Sequence, residues 1–197
     1  LIMVFKKRFM SIAFAMTVAA SAIPVEALTS TAADTQLFIN EVCTQNKSCL
    51  SDGYGNYSDW IELYNSGTAS IDLSGCGLSD KADEPLQWTF PAGTVIGGGE
   101  YLIVFASNQE SIGSELHANF ALSKNGETMV LSSPDGDVLQ EVTAPTLPED
   151  YSYGRTPDGS GVFEIMNATP AKANKITASA PVFSAGSGFY GTDFSLS

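Results

Sequence analysis

The stretch DWIELYNSGTASIDLSGCGLSD, residues 59–80, decides the fold class of this chain. Successive side chains of a β-strand face opposite sides, so the alternation in DWIELYN predicts a strand with Ile61 and Leu63 on one face. Asn-Ser-Gly at 65–67 then predicts a reversal, because Asn and Gly tolerate the backbone angles of tight turns. Apolar alternation resumes at 71–73, which predicts a second short strand.

Further short strands follow at the spacing of a β-sandwich. The apolar run 100–106 predicts a central strand, and Asn125-Gly126 predicts a hairpin that joins strands at 118–123 and 127–133. No segment keeps a helical period for more than two turns, so the predicted class is all-β. The other predicted strands are 37–43, two within 70–80, 86–90 and 135–145.

Charge and export signals restrict the functional classes. The formal net charge of −13 disfavours direct contact with nucleic-acid phosphates and, weakly, favours a divalent cation or a cationic surface. Basic residues at 6–8, an apolar run at 9–25 and Ala27 predict a secretory signal peptide cleaved after Ala27, and an uncleaved membrane anchor is the alternative. Cleavage would remove three basic residues and one acid, leaving six and 21 and a net charge of −15. The expected location is therefore extracellular or at the cell surface.

Six spaced motifs carry a family resemblance: INEV (39–42), SDWIELYN (58–65), IDLSGCGLSD (71–80), WTFPAGTVI (88–96), LSKNGETMVLSSPDG (122–136) and YSYGRTPDGSGVFEIMNATPAKANK (151–175). Together they resemble the lamin-tail domain of secreted bacterial proteins. They span residues 36–175 and imply an immunoglobulin-like β-sandwich for which no catalytic residues can be carried over. Cys76 stands where the bacterial pattern often has Trp, and the segment 43–56 is longer than the sandwich needs.

A second resemblance begins at Ala180, where APVFSAGSGFYGTDFSLS is similar to the opening of a chitobiase and hexosaminidase C-terminal type module. The expected organisation is a signal peptide at 1–27, a linker at 28–35, a lamin-tail-like domain at 36–175, and a linker with a truncated second module at 176–197. The chain begins with Leu1 and ends at Ser197, which suggests a fragment of a longer reading frame. Lamin-tail domains and modules of this second type occur together in large exported bacterial proteins, and some of these also carry a kinase-like domain. The resemblance therefore implies a parent protein similar to the kinase-like spore coat protein H.

The expected role is a non-catalytic extracellular module that binds a protein, a glycan or another envelope polymer through its loops. Two alternatives stay open. One is the accessory region of an exported enzyme, a kinase-like protein, nuclease or glycoside hydrolase whose catalytic part lies past Ser197. The other is a calcium-dependent adhesin. No cofactor is expected, apart from calcium if the chain is such an adhesin. Contact with a membrane is expected only through an uncleaved signal segment.

Cysteines give one candidate covalent link. Cys43 and Cys49 flank a five-residue loop, and in an exported protein they are candidates for a disulfide, with Cys76 left unpaired. The alternative is three reduced thiols that pack as small apolar groups. Cys76 has no neighbour at ligand spacing, so a metal site on the three cysteines is not expected.

The loop 51–59 holds the candidate calcium ligands Asp52, Asn56 and Asp59 among Gly and Ser. The alternative, which is favoured, is that these side chains bind backbone N–H groups in turns. For His117, the single histidine, a structural role is favoured over catalysis because no nucleophile elbow surrounds any Ser.

Other candidates have simpler explanations. Gly97-Gly98-Gly99 precedes a strand and lacks a Lys, so a turn is favoured over a phosphate site. The carboxylate pairs at 59 and 62 and at 83 and 84 carry little weight among 22 acids. The aromatic candidates for a binding surface are Tyr54, Tyr57, Trp60 and Trp88, with core packing favoured for Trp88, and the sequons at Asn46, Asn56 and Asn167 matter only in a eukaryotic secretory host.

Overall fold

The computed structural model describes residues 25–27 and 36–175, which form thirteen strands and no helix. This confirms the predicted all-β class. Within this part of the chain no helix has the length and apolar character to cross a membrane. The strands are β1 (Val25–Ala27), β2 (Leu37–Cys43), β3 (Asp59–Asn65), β4 (Ser70–Asp72), β5 (Gly77–Ser79), β6 (Trp88–Thr89), β7 (Val95–Ile96), β8 (Tyr101–Ala106), β9 (Leu116–Ala118), β10 (Glu127–Ser132), β11 (Val138–Ala144), β12 (Tyr151–Thr156) and β13 (Val162–Asn167).

Much of the predicted N- and C-terminal organisation lies outside the described residues. This applies to residues 1–24 of the signal peptide, to the linker at 28–35 and to the second module at 176–197. The backbone of β1 pairs in parallel with β4, from Val25↔Ser70 to Ala27↔Asp72. Cleavage after Ala27 stays a prediction.

A six-stranded sheet in the order β13-β12-β2-β3-β8-β9 forms one layer of the sandwich. β2 and β3 pair in antiparallel register from Leu37↔Asn65 to Cys43↔Trp60. At the far edge β9 pairs in parallel with β8, but only over the second half of β8, from Val104↔Leu116 to Ala106↔Ala118. The first half of β8 is therefore paired on one side only.

The opposite layer consists of the four-stranded sheet β11-β10-β5-β6 and the small sheet β1-β4-β7. Apolar side chains from both layers fill the space between them, as the alternation in each strand predicts. Ile61 and Leu63 lie in this core, and Cys76 is also fully buried there, where burial raises the pKa of its thiol to about 11. The predicted sandwich is confirmed.

Strand β2 contains a bulge at Asn40, between Ile39 and Glu41. On the other side of β2, β12 pairs only with Glu41 and Val42. Side chains from both layers bind the backbone groups of Leu37 and Ile39 instead. Ile39 N–H donates to the Gln140 side-chain oxygen at 3.0 Å, and Arg155 Nε donates to the Ile39 carbonyl at 3.1 Å. Gln140 Nε2 also donates to the Leu37 carbonyl. The bulge is thus tied to both sheets, because buried backbone groups require partners.

The predicted hairpin between 118–123 and 127–133 is wrong. Residues 119–123 form no strand, and β9 pairs in parallel with β8, whereas β10 pairs with β5 and β11 in the opposite layer. Phe120 and Leu122 are buried because this segment crosses from one layer to the other. Their apolar spacing therefore comes from a buried crossover and not from strand alternation.

Candidate interaction site

Two open grooves flank the free half of β8. The first, the outer groove, has a volume of about 330 Å³ and lies on the sheet face that is turned away from the core. Tyr101, Ile103 and Phe105 form its floor because they alternate to this face of β8. Leu50, from the long segment 43–56, and Glu115, from the loop before β9, form its walls.

The second, the inner groove, has a volume of about 350 Å³ and opens on the core side of the same sheet edge. It is bounded by the turn at 91–95, by Leu102 of β8 and by Leu116 of β9. Leu102 and Ser114 line both grooves, so the grooves meet across the strand edge. The exposed Val95 extends the apolar surface of the inner groove.

His117 holds together the loops that border the outer groove. Its ring is only 2% exposed and lies parallel to Phe105, with a centroid separation of 5.3 Å. Nδ1 is 2.7 Å from Ser107 Oγ, and Nε2 is 2.8 Å from Glu115 Oε1. Glu115 Oε1 also accepts the Gly53 N–H at 2.7 Å, which links the loop before β9 to the segment 43–56.

The Ser107, His117 and Glu115 side chains form the same hydrogen-bonded chain as a catalytic triad, but the His117 ring is buried. An acceptor carboxylate fixes the proton on Nε2, so Nδ1 is the acceptor and Ser107 donates to it. The same Ser107 hydroxyl oxygen accepts the N–H of Gln109 at 3.3 Å. Neither groove is lined by His117 or Ser107. This is the structural role that the sequence favours for His117.

The four aromatic candidates separate into two classes. Tyr54 and Tyr57 are exposed by 47% and 49%, and Tyr54 donates its hydroxyl proton to the Glu110 carbonyl. Trp60 is fully buried against Cys43 and Phe105, so its assignment as a surface aromatic is wrong. The reason is that the outer face of β3 is covered by the segment 43–56. Trp88 packs against the core, as favoured.

The candidate calcium ligands are engaged in turns. Asp52 Oδ1 accepts the N–H groups of Tyr54 and Asn56 at 3.0 and 2.8 Å, and its Oδ2 accepts the Ser58 hydroxyl. Asp59 Oδ1 instead accepts the Asn46 N–H at 2.9 Å. In the described chain no three His, Cys, Asp or Glu side chains are grouped to hold a metal ion. These contacts are those of the favoured turn interpretation, and the calcium alternative stays a hypothesis.

The other carboxylate and glycine candidates are also structural. Glu62 is buried away from Asp59 in the network described below, and Glu84 pairs with Lys81 on the surface at 3.0 Å. The three glycines at 97–99 form a turn in which the Glu100 N–H donates to the Gly97 carbonyl. A Cβ on Gly98 would lie 2.5 Å from the Thr68 backbone, so the turn requires glycine for close approach.

Cys43 and Cys49 lie side by side as free thiols, close enough to share a hydrogen bond. Cys49 also donates to Asn46 Oδ1 at 3.1 Å. Burial raises the pKa of both thiols, and the effect is larger for Cys43. The predicted pair is thus adjacent in space, and its oxidation to a disulfide stays a prediction.

Two glutamates, Glu41 of β2 and Glu62 of β3, are fully buried directly opposite each other on the outer face. Glu62 accepts hydrogen bonds from Asn40 Nδ2 at 3.0 Å and from the Ala171 N–H at 2.7 Å. Neither glutamate takes part in a described salt bridge. Burial, together with the nearby Glu41 and Asp158 carboxyls, raises the pKa of Glu62 to about 8, so it is protonated at neutral pH.

Glu41 binds the segment 168–175, which we call the closing segment. Its Oε1 accepts the Thr169 N–H at 2.8 Å, and its Oε2 lies 3.0 Å from the Thr169 hydroxyl. That hydroxyl is also 2.9 Å from Asn174 Oδ1, and its single proton can serve only one acceptor. Burial raises the pKa of Glu41.

Asp158 completes this network. Its Oδ1 accepts Asn40 Nδ2 at 3.0 Å and the Asn174 N–H at 3.1 Å, and its Oδ2 accepts the Tyr101 hydroxyl at 2.7 Å. Asn174 Nδ2 donates to the Arg155 carbonyl at 2.9 Å. The closing segment is therefore bonded at three successive points to the outer face of the sheet.

Sequence reasoning missed this network, although it contains a signal. INEV and DWIEL each place a Glu inside an apolar strand, where a carboxyl is costly unless it has partners. Asn40 lies 22 positions from Glu62, but Thr169 and Ala171 lie more than a hundred positions from the glutamates they bind, so these partners could not be read from spacing.

Comparison with known protein families agrees with this architecture. The family model of the lamin tail domain matches residues 30–146, more than half of the chain. A search of curated proteins found no match. The six-stranded sheet, the opposing layer and the core between them are formed largely within the matched region. The chain therefore belongs to the lamin tail domain family.

Proposed function

We propose that this chain is a non-catalytic module that positions or connects domains within a larger secreted or surface-attached bacterial protein and binds a partner through its loops. The family supports this role, since its immunoglobulin-like domain needs no catalytic residues. The observation that carries the proposal is the closing segment, which continues the chain from the last strand and is bonded to the sheet face. A chain that leaves the domain after residue 175 would do so from a fixed position.

The bonds of the closing segment are of the kind that hold a segment in place. Three of its backbone N–H groups, those of Thr169, Ala171 and Asn174, donate to carboxyl groups of the domain. Two of those carboxyl groups, on Glu41 and Glu62, are fully buried. Leaving a buried acceptor unsatisfied costs about 1–3 kcal/mol, so the bonds to Glu41 and Glu62 oppose detachment of the segment. The bond to the half-buried Asp158 adds a third contact.

Limited digestion with trypsin tests the positioning role, because the exposed Lys172 lies within the closing segment. Cleavage after Lys172 requires the segment to leave the sheet, whereas Lys124 lies in an exposed turn and serves as the internal control. We expect Asn174→Ala to accelerate cleavage after Lys172 and to leave cleavage after Lys124 unchanged. Equal rates at both lysines in the unmodified chain would contradict the proposal.

Export is supported by the pattern of residues 1–27. Expression in a bacterial host with these residues intact, followed by N-terminal sequencing of the secreted chain, should give Leu28 as the first residue. A product that stays in the membrane fraction with Lys6 retained would instead indicate the uncleaved anchor.

The likeness of residues 180–197 to a chitobiase-type module supports a second β-sandwich after the closing segment. The combination of these two domain types favours a parent protein similar to the kinase-like spore coat protein H. In such a parent, catalysis would belong to another domain. Sequencing of the gene past codon 197 tests this directly. A reading frame that stops there, with no further domain, would remove the connecting role.

A further inference from the structure

The free half of β8 lies between the two grooves, and we propose that it binds an extended, basic peptide segment of a partner protein as an added β-strand. The proposal gives the binding role proposed above a surface and rests on it. An added strand needs unpaired backbone groups along an edge and places for side chains on both faces, because the side chains of a strand alternate. Residues 101–103 meet both requirements.

The backbone requirement follows from the register of β3 and β8. The Asn65 N–H donates to the Glu100 carbonyl at 3.1 Å, which makes 65 and 100 a hydrogen-bonded pair. Hydrogen-bonded and non-bonded pairs alternate in antiparallel sheets, so Leu102 bonds toward β3. The N–H and C=O groups of Tyr101 and the N–H of Ile103 then point away from β3, and no described strand pairs with them. The Ile103 carbonyl faces the Leu116 N–H instead, because Val104 bonds toward β3 and its parallel pairing with Leu116 is made through its neighbours.

The side-chain requirement is met by the grooves. They share Leu102 and Ser114 across the edge, so successive side chains of an added strand would enter the outer and the inner groove in turn. The floors are apolar, formed by Ile103 and Phe105 outside and by Leu102 and Leu116 inside. The chain itself leaves this path, since Ile112 and Glu115 close a tight turn through two backbone hydrogen bonds just before β9.

The acidic surroundings of the two grooves favour basic residues at the ends of the bound peptide. No Lys or Arg lines either groove, Glu115 lies in the outer groove, and the exposed Glu100 immediately precedes β8. The whole chain carries a net charge of −13. A peptide with an apolar centre and Lys or Arg at its ends fits both the apolar floors and the acidic surroundings.

The probe is the peptide acetyl-KKIVIVKK-amide, titrated into the 197-residue chain by calorimetry and by ¹⁵N NMR. We expect saturable binding with shifts concentrated at 101–103. The control peptide has the same sequence with N-methyl groups on alternate central residues, which removes backbone donors but keeps charge and side chains. At least tenfold weaker binding of that peptide is expected, since strand addition depends on main-chain hydrogen bonds.

Two variants locate the site on the protein. Ile103→Pro removes an outward N–H and leaves the Leu102 bonds to β3, and proline is tolerated at strand edges in that orientation. Ser114→Trp fills the junction of the grooves without touching the strand, so it keeps the test valid if the proline variant does not fold. Each variant should weaken binding of the probe at least tenfold.

Equal binding of the N-methylated peptide, or shifts that spare 101–103, would overturn the proposal. Concentration-dependent dimerisation that Ser114→Trp abolishes would also overturn it, because the occupant of the edge would then be a second copy of the chain. None of these results changes the expected trypsin cleavage after Lys172. A failure of peptide binding at the free half of β8 can therefore be distinguished from a failure of the positioning role.

Discussion

Substitution of Glu62 by Gln should flatten the pH dependence of stability. The pKa of Glu62 is raised to about 8 in the folded chain by burial. A group whose folded pKa is raised binds its proton more tightly in the folded state, so it stabilises most below its unfolded pKa of about 4.3. That stability is lost as the pH rises toward the folded pKa.

The magnitude follows from this linkage. Each pH unit between the two pKa values costs about 1.4 kcal/mol, so the contribution of Glu62 to the unfolding free energy falls by roughly 2.7 kcal/mol between pH 5.5 and 7.5. Gln has one acceptor oxygen for two donors, Asn40 Nδ2 and the Ala171 N–H, so Glu62→Gln should cost about 1–3 kcal/mol at pH 5.5. The two stability curves should therefore converge near pH 7.5.

Urea denaturation, followed by tryptophan fluorescence at pH 5.5, 6.5 and 7.5, measures these free energies. Burial also raises the pKa of Glu41, so Glu41 lowers the unfolding free energy with rising pH in both the unmodified chain and the Glu62→Gln variant. The test is therefore the difference between the two chains in the slope of unfolding free energy against pH. Glu141→Gln is the matched control, because Glu141 is exposed on β11. Parallel slopes for Glu62→Gln and the unmodified chain would refute the linkage of Glu62 to folding.

Four further predictions concern other parts of the molecule. His117→Phe should lower the unfolding free energy by about 2–3 kcal/mol in urea titrations, because two hydrogen bonds are lost and their partners stay behind; an unchanged midpoint would contradict the structural role of His117. Gly77→Ala should cost about 1–3 kcal/mol by the same measurement, since its Cβ would lie 2.2 Å from the Pro85 carbonyl oxygen, and a neutral effect would show that this contact relaxes. Treatment with oxidised glutathione should lower the number of free thiols titrated in denaturant from three to one, whereas the Cys49→Ser variant should keep its two free thiols. Three free thiols in the treated unmodified chain would exclude the Cys43–Cys49 bridge. Millimolar Ca²⁺ should leave the melting temperature unchanged relative to chelator, whereas a rise of several degrees that Asp52→Asn abolishes would establish a calcium site.

The sequence predicted the layers of the fold better than its connections. Alternation identified β2 and β3, because a strand with one face in the core must carry apolar residues at every second position. The continuous apolar run identified β8, and turn signals identified β10 and β11. The same spacing in 118–123 came from a buried crossover, which local pattern cannot distinguish from a strand. The edge position of the first half of β8 was also unpredictable, since it depends on where β9 begins to pair.

The candidate site was predictable only where its contacts are local. The turn role of Asp52 follows from partners within six residues. The buried role of Glu62 depends on Ala171, 109 residues away, and burial of Trp60 depends on how the segment 43–56 folds back over the sheet. Such contacts are set by tertiary packing, which a single sequence reveals only as an unusual residue in an apolar strand.

Hydrogen exchange of the full chain at neutral pH tests the positioning role most directly. The amides of Thr169, Ala171 and Asn174 should exchange at least about a hundredfold more slowly than unstructured amides, which corresponds to an opening free energy of roughly 2.7 kcal/mol. Exchange of all three at unstructured rates, while β2 and β3 remain protected, would show that the closing segment is not fixed to the domain and would contradict its proposed role.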